Sequence, residues 1–119
     1  MEAAPVSWLV WESGGRIVGF ASASRFRERE AYNRTAEASI YVAPAARRKG
    51  VGRALCEAIL DRLQESGHRS AVGVVALPNP ASERLLEDLR FRRAGVLHAA
   101  GFKFEEWWDV ALWQRDLSP

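Results

Sequence analysis

Between Ser39 and Leu63 the chain reads SIYVAPAARRKGVGRALCEAILDRL: a strand, a proline, a basic and glycine-rich run, and an amphipathic helix. The pattern Arg47-x-x-Gly50-x-Gly52 falls at the strand-to-helix junction, where backbone N–H groups have no intrahelical partner and point the same way as the positive end of the helix dipole. Arg47, Arg48, Lys49 and Arg53 add positive charge, and a side chain at Gly50 or Gly52 would hold a phosphate away from the amides. The chemistry expected of this loop is capture of a pyrophosphate on the amides from Arg48 to Arg53, with Val51 at the helix start. The same residues also fit a plainer description, in which two glycines begin a helix and the basic side chains form a solvated rim. Neither the GxxxxGK[ST] nor the GxGxxG phosphate pattern occurs.

A carboxylate lies just upstream. From Arg34 to Val42 the residues alternate, with Ala36, Ala38, Ile40 and Val42 on one face and Thr35, Glu37, Ser39 and Tyr41 on the other, so Glu37 stands mid-strand on the polar face. After the loop, Val51, Leu55, Ala58, Ile59 and Leu63 recur at helical spacing until Ser66-Gly67 stops the helix. Ala71 to Ala76 is a continuous apolar run, as expected of a strand buried on both faces. Strand, helix and strand make a right-handed βαβ crossover that sets the two strand ends side by side.

The remaining elements frame this unit. Ser7 to Trp11 and Arg16 to Ser24 read as a hairpin turning at Ser13-Gly14-Gly15. Phe26 to Asn33 reads as a loop with a short turn. Asn79-Pro80 starts a second helix over Ala81 to Leu89. Phe91 to His98 and Trp107 to Gln114 form a further hairpin, turning at Ala99-Ala100-Gly101 or at Phe104-Glu105-Glu106. The expected class is α/β of the α+β kind, a mixed and mainly antiparallel sheet carrying one βαβ unit.

With 119 residues, 48% of them hydrophobic, there is material for a single core and one soluble domain, 1–119. No apolar run is long enough to span a bilayer, and MEAAPVSW lacks the pattern of a secretory signal, so a cytoplasmic location with no membrane partner is expected. Lys and Arg exceed Asp and Glu by only 17 to 15, too slight a balance to call for nucleic acid. The basic residues are nevertheless grouped, at Arg25 to Arg34 and at Arg47 to Arg53, a layout suited to an extended anionic ligand. Cys56 lies among apolar helix residues and is a poor candidate nucleophile.

Several separated stretches together resemble one family. They are Val18-Gly19-Phe20-Ala21-Ser22-Ala23-Ser24, Thr35 to Val42, the glycine loop with its helix, Asn79-Pro80-Ala81-Ser82, Phe91 to Leu97, and the tail from Gly101 to Leu117 with Trp107-Trp108-Asp109. The chain resembles the GNAT acyltransferases, and within them the phosphinothricin and methionine sulfone or sulfoximine acetyltransferases. The resemblance implies a GNAT-like fold with acetyl-CoA as co-substrate, no metal, and direct transfer of an acetyl group to the amine of a small amino-acid-like acceptor. It also implies a homodimer. Family members begin with a further strand and two helices that this sequence lacks, so an N-terminally shortened version of the fold is expected.

Residue roles follow from the same resemblance. Glu37 corresponds to the base that helps deprotonate the acceptor amine, a step the chemistry needs because an ammonium has no lone pair for attack. Tyr41 and Val42, the loop from Arg47 to Arg53, Asn79 and Ser82 correspond to the coenzyme-binding surface, with the Val42 backbone holding the thioester. Arg27, Tyr32, Arg34 and Thr35 are the candidates for holding the acceptor, since a carboxylate calls for a guanidinium. Each has a plainer reading: Glu37 as an ordinary strand carboxylate facing solvent or paired with Arg34, Asn79 as a helix cap, the arginines as solvated charge. Two positions depart from the family. Leu86 stands where His or Tyr is usual, removing a proton donor, and Arg90 stands where Gly is usual, which implies an altered helix end. The missing N-terminal elements and Leu86 make a non-catalytic coenzyme A or acyl-CoA binding pseudoenzyme the second reading, and a binding module for nucleic acid or acidic protein, built on the arginine clusters and exposed aromatics, is the third.

Overall fold

The computed structural model describes residues 5–27, 30–47 and 50–118. Six strands and two helices follow in the order β1 (Pro5–Ser13), β2 (Arg16–Arg25), β3 (Thr35–Val42), α1 (Val51–Glu65), β4 (Ser70–Ala76), α2 (Pro80–Asp88), β5 (Arg92–Lys103) and β6 (Glu106–Asp116). They form one sheet ordered β1-β2-β3-β4-β6-β5, in which β3 and β4 alone run parallel and every other neighbouring pair is antiparallel. The mixed, mainly antiparallel sheet with one βαβ unit expected from the sequence is thus present.

Both helices lie on the same face of the sheet. That face is paved with alanines, Ala21, Ala23, Ala36, Ala71 and Ala111, all fully buried, and the short side chains let Leu55, Cys56, Ile59, Leu60 and Leu63 of α1 settle close to the strands. Small residues on the sheet and large ones on the helix thus share one interior. The other face carries Trp8, Phe20, Tyr41, Glu37 and Val74, and neither helix covers it. This corrects the expectation for β4: Ala71, Val72, Gly73 and Val75 are buried, but Val74 is 45% exposed.

The loops obey their sequences closely. Gly14 and Gly15 have φ of 59° and 77°, the two left-handed residues of a hairpin turn whose twist matches the strands. Helix α1 ends in a Schellman arrangement, with Gly67 at φ 86° and His68 N–H donating to the Leu63 carbonyl. Helix α2 ends the same way, which corrects the expectation of an altered end. Arg90 adopts φ 69°, its N–H donates to Glu87 and that of Phe91 donates to Leu86, so the motif closes with arginine where glycine is normal.

The last hairpin turns at Phe104-Glu105, both left-handed. Ala99-Ala100-Gly101, the other expected turn, lies inside β5, where Ala99 at φ 47° forms a bulge between the pairs Leu97–Val110 and Gly101–Trp108. Asp109 opposite the bulge holds it: its Oδ1 accepts from Ala99 N–H at 2.8 Å and lies 3.1 Å from His98 Nδ1, while its backbone carbonyl accepts from Leu77. Lys103 also acquires a place, its carbonyl accepting the Trp108 indole N–H at 3.0 Å. Glu83 fastens α2 to the sheet by accepting from both Arg93 and the buried Trp113.

Candidate active site

The parallel ladder between β3 and β4 is short. Thr35 to Ala38 pair with Ser70 to Gly73, and beyond Ala38 and Gly73 the strands part. Each keeps its outer partner: β3 stays on β2 as far as Val42, and β4 stays on β6 as far as Ala76. The parity of these antiparallel ladders decides which backbone groups face the opening. Phe26 donates to Thr35 and Ala43 donates to Val18, so odd-numbered residues of β3 bond to β2 while Ile40 and Val42 turn their backbones toward the gap. Leu77 donates to Asp109 and Leu117 to Arg69, so by the same count Val74 and Ala76 face the gap from β4. A cleft walled by backbone donors and acceptors results, able to take an extended amide-bearing chain as an added strand would be taken.

The glycine loop stands at the mouth of this cleft. Gly50 precedes α1 at φ 79° with no side-chain cap, and the first helical bond is Ala54 N–H to its carbonyl. The amides of Val51, Gly52 and Arg53 therefore lack intrahelical partners, as a cradle for an anion requires. The two glycines have different reasons. Gly50 is demanded by its left-handed backbone, whereas a Cβ at Gly52 would meet Val42 at 3.5 Å and Leu85 at 3.8 Å, ordinary contact distances. Packing alone would admit alanine at 52, which leaves close approach of a ligand as the use for its bare backbone. Arg47 Nε donates to the Val42 carbonyl at 3.1 Å, joining strand end and loop. Arg53 turns along the helix to Glu57 at 3.1 Å, so its charge is partly spent there. Arg48 and Lys49 lie outside the described residues.

Across the mouth, Asn79 caps α2 by accepting from Ser82 N–H at 3.2 Å. The capping role proposed for it holds, and its side-chain NH₂ remains available to donate. Leu86 packs over Gly73, whose added Cβ would lie 3.2 Å from a Leu86 methyl, and it belongs to the rim of the core. The position where a family proton donor is usual is occupied by close apolar packing.

Glu37 sits one residue before the ladder opens, between Ser24 and Val72 on the face free of helices, and is half-buried. Among the described residues it makes no ion pair, so the plainer reading of a bridge to Arg34 is not realised. Thr35 shares its face at the head of β3, and the Arg34 carbonyl anchors the start of β4 by accepting from Arg69 and Ser70. Tyr41 lies on the same face and stacks on Phe20, which stacks on Trp8, at centroid separations of 5.5 and 4.9 Å. Its backbone is committed to β2. Arg27 and Tyr32 gather around Phe26, the guanidinium 4.2 Å above the ring and the tyrosine edge-on, away from any ion pair among the described residues. Ile40, Val74 and Ala76 were not singled out in the sequence because what they turn toward the cleft is backbone. Ladder parity was the signal that could have found them. Burial pushes the Cys56 thiol up to about 11, in keeping with a core residue.

A sequence profile described as the acetyltransferase (GNAT) family matches residues 1–91. The chain belongs to the GNAT acetyltransferase family. It is 41% identical over 109 residues to a phosphinothricin N-acetyltransferase of Streptomyces viridochromogenes, covering 92% of this chain and 60% of that protein. It is 34% identical to an L-methionine sulfoximine/L-methionine sulfone acetyltransferase of Salmonella typhimurium, covering 92% and 64%. Among solved structures, a phosphinothricin acetyltransferase of Sinorhizobium meliloti in complex with acetyl-CoA superposes with a TM-score of 0.86 at 38% identity, covering 92% of this chain and 60% of that one. An acetyltransferase of Salmonella typhimurium with acetyl-CoA gives 0.90 at 33% identity, covering 94% and 65%. This GNAT chain thus spans about three fifths of the length of those relatives. Among its described residues, no helix is long and apolar enough to cross a membrane, and no group of His, Cys, Asp and Glu is placed to hold a metal ion.

Proposed function

We propose that this GNAT chain is an acetyl-CoA-dependent N-acetyltransferase acting on the primary amine of a small amino-acid-like acceptor of the phosphinothricin or methionine sulfone type. The observation that carries the reading is the occurrence together of the amide cradle at Val51 to Arg53, the backbone-walled cleft that opens beyond Ala38 and Gly73, and the Glu37 carboxylate beside its closed end. The cradle and Arg47 would hold the pyrophosphate. Ile40, Val42, Val74 and Ala76 would hold the pantetheine arm, with the Val42 N–H directed at the thioester oxygen, and Asn79 and Ser82 would flank it. Arg27, Tyr32, Arg34 and Thr35 are proposed to hold the acceptor.

In the reaction Glu37 takes a proton from the acceptor ammonium, directly or through water. The freed nitrogen attacks the thioester carbonyl, the C–N bond forms, and charge develops on the oxygen facing the amide donors. Collapse breaks the C–S bond and releases the coenzyme thiolate, which takes a proton from water or from the reacting amine, since Leu86 has none to give. That leucine is the one observation on the side of a second reading, a chain that binds coenzyme A without turnover, which the likeness to named N-acetyltransferases does not favour.

Thiol release with phosphinothricin and with methionine sulfone as acceptors separates the two. Glu37→Gln is expected to lower turnover about 10²- to 10⁴-fold at neutral pH and leave acetyl-CoA affinity unchanged. Equal rates for the two proteins with chemistry rate-limiting would exclude Glu37 as the base, and binding with no turnover by the unaltered chain would favour the pseudoenzyme. We further propose a cytoplasmic homodimer with no membrane or nucleic-acid partner, with the N-terminal hairpin that carries Trp8 and Val10, the Trp-rich C-terminal hairpin, or both at the contact.

A further inference from the structure

A groove of about 910 Å³ opens at the end of the sheet remote from the cradle, where β4 begins and β6 ends. The paired stretch of β4 from Ser70 to Gly73 separates it from the opening of the cleft, roughly 10 Å at the usual rise per residue. Five arginines line it: Arg69 before β4, Arg90 after α2, Arg92 and Arg93 in β5, and Arg115 in β6. Asp116 is the one acid in the lining, and its carboxylate already accepts from Ser118 N–H at 2.8 Å.

The existing partners do not balance this charge. Arg93 is paired with Glu83 at 2.7 Å, and Arg115 spends one nitrogen on the Leu89 carbonyl at 3.1 Å. Arg69, Arg90 and Arg92 make no ion pair among the described residues. The neutral amides of the lining are spent as well, Gln64 on the Leu117 carbonyl and Gln114 on Ser70. Guanidiniums from separate elements therefore line the groove with donors to spare, Arg93 and Arg115 from the helix-bearing side of the sheet and Arg92 from the other, and an anion entering would relieve their mutual repulsion.

Arg90 is the second, independent observation. It occupies a left-handed backbone position where glycine would be relaxed, and the chain tolerates that strain while gaining a guanidinium in the groove. The guanidinium fork matches the paired oxygens of phosphate. None of the lining residues is aromatic, so there is no surface on which a base could stack, which disfavours single-stranded nucleic acid. We propose that this groove binds a compact anion carrying two or more phosphate groups, at a site separate from the cradle and independent of the acetyl-transfer reading.

The test is a calorimetric titration with inorganic tripolyphosphate at low ionic strength of the unaltered chain, the Arg90→Gly/Arg92→Gln double variant, and Gly52→Asp. Binding should be present in the first and in Gly52→Asp, weaken as salt rises, and fall at least about tenfold in the double variant, which keeps only part of the cluster. Arg90→Gly relieves backbone strain, so a double variant that melts no lower than the parent removes misfolding as an explanation. Undiminished affinity in the double variant, loss in Gly52→Asp, or no binding to the unaltered chain at millimolar tripolyphosphate would each overturn the proposal.

Discussion

Gly50 and Arg90 occupy the same left-handed region of backbone space, at φ 79° and 69°, one before α1 and the other after α2. For glycine the conformation is free, while for an L side chain it costs about 1 kcal/mol. Gly50→Ala is therefore expected to destabilise by about 1 kcal/mol, and Arg90→Gly to stabilise by a similar amount. At this chain length the latter should raise the melting temperature by about 4 °C, readable by calorimetry. Cys56 supplies a prediction in pH. Its folded thiol is pushed up to about 11 from 9.0 by burial, so its contribution is fully present below pH 9 and is lost as pH rises through 11. Over that window the stability should fall by up to about 1.4 kcal/mol per pH unit from this group. Cys56→Ala should flatten the alkaline limb of a denaturant-midpoint profile, and an unchanged limb would assign the loss to other groups.

Asp109 works at the scale of elements, because one carboxylate and its own backbone carbonyl tie β6 to the β5 bulge and to the end of β4. Asp109→Ala should cost about 1–3 kcal/mol by leaving the Ala99 amide without its acceptor. Asp109→Asn keeps a carbonyl oxygen and should recover part of that, a difference measurable in urea. Which elements form was legible beforehand wherever a period or a breaker spoke plainly: the alternation from Thr35 to Val42, the helical spacing from Val51 to Leu63, Gly14-Gly15 and Gly67. The bulge was not legible, since Ala99-Ala100-Gly101 has the composition of a turn and only the pairing of Asp109 places it inside a strand. The end of α2 was misread for a related reason. Propensity argues against arginine at φ 69°, yet the hydrogen bonds from Arg90 and Phe91 close the motif regardless. At the cleft, the loop could be named from its residues and Glu37 through the family resemblance, whereas Ile40, Val74 and Ala76 present backbone, which residue type does not encode.

Across the whole molecule the asymmetry of the two sheet faces dominates. One is sealed by alanines against α1. The other exposes Trp8 at 52%, Val10 at 46%, Tyr41 at 47% and Val74 at 45%, an apolar expanse of the kind that marks an interface. The proposed homodimer predicts twice the monomer mass by light scattering at micromolar concentration. Trp8→Glu should shift that toward the monomer and raise the binding of an apolar dye. A monomer mass with no dye binding by the unaltered chain would show the face to be stable uncovered. The strand order has a consequence in time. Because β6 lies between β4 and β5, the two are joined only through the element made last of the three. During synthesis the βαβ unit, on four rungs of parallel pairing, must wait with the free edge of β4 open until Glu106 to Asp116 leave the ribosome. A nascent chain stalled before Glu106 is thus a sticky, half-closed sheet that calls for a chaperone, and insertion of a single late strand converts it into the finished fold.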